Sequence, residues 1–82
     1  MKLPKLMLTN SDEVRAFRKK IGLNQADFWS RLGVTQSGGS RYETGRNIPE
    51  PVQLLLHMTY APEARALRLL GVLRAWRPID QD

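Results

Sequence analysis

The sequence has no cysteine and a single histidine, His57. Without thiols neither a disulfide framework nor a thiolate metal site is available. A zinc site would need carboxylates to complete the shell around one imidazole. Long apolar runs are also missing. The apolar clusters Val52–Met58 and Leu67–Leu73 are interrupted, and each falls far short of the ~20 residues that span a bilayer. The opening stretch MKLPKLMLT is broken by Pro4 and Lys5 and is too short for a signal h-region, so a soluble chain without a targeting or membrane segment is expected. There is no strand alternation, internal repeat or low-complexity tract. Nor is there a carboxylate pair, a nucleophile–base set or a P-loop, because Gly38-Gly39 lies inside a predicted helix and lacks the lysine. An enzyme is therefore not expected, and neither metal nor cofactor is implied.

What remains is short and basic. Eighty-two residues make one domain, with room for a modest core that calls for well-packed helices or a partner subunit. Thirteen Lys+Arg against eight Asp+Glu leave a net charge of +5. The excess is uneven, with nine basic and five acidic groups in residues 1–50 and four and three thereafter. Such a surplus favours polyanions, but a merely basic surface explains it equally well.

Apolar spacing and cap residues divide the chain into five predicted helices, an all-α architecture. Residues 1–9 read as a basic arm (Lys2, Lys5). The first helix starts near Asn10 or Ser11, with Glu13 three residues after Asn10 as a capping box and Val14, Phe17 and Ile21 on one face. Gly22 ends it. The second helix is capped by Asn24, carries Ala26, Phe28, Trp29 and Leu32, and stops at Gly33. Thr35 caps a third helix running to about Glu43, closed by Gly45. Pro51 begins a fourth helix, where a missing N–H costs nothing. A fifth spans Glu63 to Trp76 and ends before Pro78.

The informative segment is NQADFWSRLGVTQSGGSRYETGRNIP, from Asn24 to Pro49. Between its two short helices Gly33 supplies the positive φ a tight turn needs, Val34 plugs the gap, and Thr35 caps the second of the two. Gln36 and Ser37 then project outward, with side chains suited to base edges and phosphates.

Three blocks in this region, Gly22–Ala26, Leu32–Ser37 and Arg41–Arg46, resemble the lambda repressor-like (Cro/XRE type) helix-turn-helix family over about Val14 to Met58. The resemblance implies a five-helix DNA-binding domain with the helix-turn-helix at helices 2 and 3, working in the cytoplasm at a prokaryotic or phage-like nucleoid. The recognition helix would be Gln36 to Thr44, lying in the major groove. Gln36, Ser37 and Arg41 would contact bases; Gln25, Thr35, Ser40, Arg46 and Asn47 would contact the backbone. Arg18 and Glu43 match a pair that commonly forms a partly buried salt bridge, and Tyr42 matches a core position. One departure stands out: the family usually has Val or Ile where this chain has Gly39, after Gly38. Two helical glycines cost roughly 2 kcal/mol relative to alanines. Trp29 and Phe28 are candidates to fill the vacated space, and close approach to DNA or a helix left loose until it binds are alternatives.

Double-stranded DNA is thus the expected partner, bound as a homodimer on a palindromic operator by a transcriptional regulator, with repressor the expected role. Leu69, Leu70, Leu73 and Trp76 are the expected dimer surface, with Leu67 and Val72 widening the apolar band. The expected organisation is arm 1–9, helix-turn-helix domain 10–61, dimerising C-terminal helix 62–78 and tail 79–82. An antitoxin that binds both DNA and a protein toxin is the alternative, since it would use the same motif and a free apolar surface.

Overall fold

The computed structural model describes residues 3–76. Lys2, Pro78 and the expected tail 79–82 lie outside the described residues. Five helices succeed one another: α1 (Ser11–Ile21), α2 (Gln25–Ser30), α3 (Gln36–Glu43), α4 (Glu50–Tyr60) and α5 (Glu63–Arg74). No strand occurs among the described residues, and no helix there is long and apolar enough to cross a membrane.

Local chemistry sets the helix starts. The side chains of Asn10, Asn24 and Thr35 each accept a hydrogen bond from the backbone N–H three residues on, at 2.9, 2.8 and 3.0 Å. These bonds satisfy donors that the first turn leaves open. The capping box at α1 is displaced by one residue, because the Glu13 carboxylate accepts from the Thr9 N–H and hydroxyl, 3.0 and 3.1 Å away, rather than from Asn10. α4 and α5 are capped by the prolines Pro49 and Pro62, with Pro51 inside the first turn of α4.

α1 and α2 both pack on α3, and α4 packs on α5. Leu8, Val14, Phe28, Trp29, Ile48 and Leu56 form the core, with Phe17, Leu32, Val34, Tyr42 and Tyr60 packed against it. Aromatic contacts knit it together. Phe28 and Tyr60 stack with ring centres 4.2 Å apart, Phe28 and Trp29 meet edge-on at 5.3 Å, and the Tyr60 hydroxyl donates to the Phe28 carbonyl. Tyr60 thereby fastens the end of α4 to α2.

Three expectations are corrected. α2 ends at Ser30, with Arg31–Gly33 as a turn, because the Leu32 and Gly33 N–H groups bond back only three residues, to the Trp29 and Ser30 carbonyls. α5 ends at Arg74, so Trp76 lies beyond it. Ile21, expected on the apolar face of α1, is 40 % exposed. The described part of the expected arm is docked: Leu8 is buried, and the Met7 N–H donates to His57 Nδ1 at 3.1 Å. An apolar pair, Met7 and Leu8, is what holds it down.

Candidate nucleic-acid interface

The turn between α2 and α3 determines what α3 presents. Gly33 has φ +75°, and the chain reverses through bonds from the Val34 N–H to the Trp29 carbonyl (3.1 Å) and from the Gly33 N–H to the Ser30 carbonyl (3.0 Å). This is the glycine-terminated helix stop, which residues with a Cβ disfavour. Val34 comes next, packed against the core, and Thr35 starts α3. The first turn of α3 therefore leaves the body of the protein with Gln36 and Ser37 exposed.

Gln25, Gln36, Ser37, Ser40 and Arg41 line one shallow, open concavity. It gathers the three residues expected to read bases together with two of those expected to touch the backbone. Thr35 is exposed at the helix start, with its hydroxyl oxygen already accepting from the Gly38 N–H. Arg46 and Asn47 are exposed past Gly45, outside the concavity. The residues thus fall into a compact polar patch and a flank. Amide, hydroxyl and guanidinium groups at this spacing can donate to and accept from base edges, while the open N–H groups of the first turn favour phosphate.

Behind the patch sits Glu43, the last residue of α3 and 1 % exposed. Arg18 of α1 grips it in bidentate fashion, Nε to Oε2 at 2.8 Å and Nη2 to Oε1 at 2.9 Å. Trp29 Nε1 donates to Oε2 at 2.8 Å and Gln25 Nε2 to Oε1 at 3.2 Å. Burial alone would raise the pKa of Glu43, but the bonds from Arg18, Trp29 and Gln25 outweigh it and hold the carboxyl below its ordinary value. A buried carboxylate saturated with four donors stays ionised and ties α3 to both preceding helices. One amide hydrogen of Gln25 is committed here, so a phosphate contact by Gln25 would have to use the other.

Gly39 is buried because Trp29 occupies the space beside it. A Cβ at Gly39 would overlap the indole ring, lying 2.6 Å from Nε1 and nearer still to ring carbons. Trp29 thus takes the place of the branched side chain expected at Gly39. Gly38 is different, since a Cβ there would meet Thr35 Oγ1 at 3.3 Å and Val34 Cγ1 at 3.4 Å, both on side chains.

Two supporting residues escaped the sequence. The Ser11 hydroxyl donates to the Tyr42 carbonyl and accepts from the Gly45 N–H, and Arg15 donates to the Glu43 carbonyl. Both bind the C-terminal end of α3 from α1. No pattern marks them, because Ser11 reads as a helix-start residue and Arg15 as a solvated charge; Arg15 does also pair with Asp12, 2.9 Å away.

The expected dimer residues do not share one exposed face. Leu69 is completely buried within the chain, while Leu70 is 39 % and Trp76 38 % exposed. Leu69 is therefore withdrawn from that surface, since its side chain already has partners inside the monomer. Leu67, 56 % exposed, is the most open large apolar residue of α5.

Residues 15–59, more than half the chain, match the family model described as the RsaL-like HTH domain. The chain belongs to the RsaL-like helix-turn-helix family. The matched span runs from α1 through α4 and includes the whole α2–turn–α3 unit. As an RsaL-like domain it is a DNA-binding helix-turn-helix. No curated protein and no solved structure matches the chain.

Proposed function

We propose that the protein is a sequence-specific transcriptional regulator, a repressor of the lambda repressor-like (Cro/XRE) type, that binds a palindromic operator as a homodimer in the cytoplasm. The observation carrying this reading is the polar concavity of Gln25, Gln36, Ser37, Ser40 and Arg41, backed by the Glu43 network. Gln36 can pair in bidentate fashion with an adenine, and Arg41 can reach a guanine or the backbone. Arg46 and Asn47 flank the helix where a phosphate strand would pass, positioning the protein without specifying sequence. Selection of binding sites from random duplexes tests the whole reading, because it returns the sequence, the half-site spacing and the symmetry together. Recovery of no preferred sequence would refute it.

Side-chain roles separate by their salt dependence. Gln36→Ala is expected to cost about 1–3 kcal/mol on the selected site and to relax one base preference. Arg46→Ala is expected to weaken binding to every sequence and to flatten the salt slope. Equal losses by Gln36→Ala on specific and random DNA would remove its base-reading role.

One copy of the motif covers only a few base pairs, so a dimer would place two across half-sites about 34 Å apart. Leu67, Leu70 and Trp76, with Leu55 40 % exposed on α4, are the apolar groups available for that contact. Leu67→Glu combined with Leu70→Glu should leave the fold intact and yield a monomer in sedimentation. If the unmodified protein sediments as a monomer both free and on its site, the dimer is wrong. Co-purification of a second small protein on α5 would instead favour the antitoxin role.

A further inference from the structure

His57 is 1 % exposed, yet one of its ring nitrogens meets no hydrogen-bond partner among the described residues. Its Nδ1 accepts from the Met7 N–H, so the neutral ring carries its proton on Nε2. That Nε2 is buried, and no described residue pairs with it. A buried donor left open is costly and calls for an acceptor.

His57 forms part of the wall of a pocket of about 190 Å³ lined also by Pro4, Lys5, Arg65 and Arg68. Three cationic residues and His57 line one small space, and among the described residues no carboxylate joins them. Arg65 and Arg68 stand one turn apart on α5, and Arg65 Nη2 donates to the Lys5 carbonyl at 3.3 Å, drawing the N-terminal segment over the opening. Glu13 belongs to the neighbouring groove on the other side of Lys5 and Arg65, where its Oε1 is occupied by Thr9. Burial first and the Arg65 charge second lower the pKa of His57, while the Arg65 main chain opposes them weakly. The pocket is therefore electropositive and short of an acceptor.

We propose that this pocket binds a phosphate-type oxyanion, held by the His57 Nε2–H and the side chains of Lys5, Arg65 and Arg68. A tetrahedral oxyanion offers the acceptor that Nε2 lacks and the charge that the three cations share. Bound there, it clamps residues 4–7 onto α4 and α5. The oxyanion is either free in solution or a phosphate of a DNA strand passing α5, and the site is independent of the concavity on α3.

As the chain has one histidine, its ring signals report on the pocket alone. The test follows the His57 ring and Met7 amide resonances as inorganic phosphate is added against chloride at equal ionic strength. A saturable shift of both, with a higher imidazole titration midpoint, is expected. Arg68→Gln, and Lys5→Gln as a second variant, should weaken the response about tenfold, as loss of one charged contact does. A response to duplex DNA alone that still depends on Arg68 and Lys5 would support the same pocket with a strand phosphate as its ligand. If neither phosphate nor duplex moves these signals, or if both variants respond like the unmodified protein, the oxyanion site does not exist.

Discussion

Glu43→Gln is expected to destabilise the domain by about 3–5 kcal/mol, the usual consequence of removing one partner from a buried ion pair. Glutamine has nearly the same shape, so the loss does not come from a cavity. It comes from the Arg18 guanidinium, whose side chain is only 13 % exposed and would face a neutral amide. Whichever way the amide turned, its NH2 would also oppose donors, Trp29 Nε1 and Arg18 Nε on one side or Gln25 Nε2 and Arg18 Nη2 on the other. Denaturant unfolding of the variant measures the cost. A loss below about 1 kcal/mol, the range of exposed pairs, would show that the pair is solvated and contributes little.

Acid should reproduce this substitution. The folded pKa of Glu43 is depressed below its ordinary value of 4.5. Its stabilising contribution is therefore fully present above that value and is lost as pH falls through the lower, folded one. His57 has the same sign, with a folded pKa below its ordinary 6.5, so its contribution begins to fade at higher pH. The stability gap between the unmodified protein and Glu43→Gln should accordingly close as pH is lowered below the ordinary value of 4.5, whereas a gap that stays constant would assign the cost to packing.

Gly39→Ala should also destabilise, against the direction that helix propensity gives. Propensity alone favours alanine by about 1 kcal/mol. The added Cβ, however, would collide with the Trp29 indole, which is completely buried. The ring cannot swing away without losing its bond from Nε1 to Glu43 and its edge contact with Phe28. Overpacking and a broken bond to a buried carboxylate together outweigh propensity, for a net loss of roughly 2–4 kcal/mol. Combining Gly39→Val with Trp29→Leu should recover part of the loss, so that the pair is less harmful than the sum of the singles. A simple gain in stability from Gly39→Ala would mean that the indole is not fixed.

The parts of the structure legible in the sequence are those determined by near neighbours. Asn10, Asn24 and Thr35 cap helices through bonds three residues long, and Gly22, Gly33 and Gly45 stop them at the next step, so the five helices could be placed to within a few residues. The outward turn with Gln36 and Ser37 obeys the same local rules. The features that could not be read depend on distant contacts. Nothing near Trp29 in the sequence says that its indole N–H meets Glu43, and nothing near Met7 points to His57, fifty residues away. The apolar stripe on α5 shows the limit of periodicity. It groups Leu69 with Leu70, Leu73 and Trp76, but only packing reveals that Leu69 is consumed inside the chain while Leu67 and Leu70 are left outside.

The contact between Trp29 and Gly39 also constrains how this sequence can drift. A large residue on α2 and the absence of a side chain on α3 share one volume, so neither position can change alone without a clash or a void. Any ancestor with a branched residue at position 39 must have carried something smaller at 29, and the two exchanges must have passed through a weakened intermediate or occurred together. Aligned relatives should therefore divide into two groups, tryptophan with glycine and smaller residue with branched one, with the mixed combinations nearly empty.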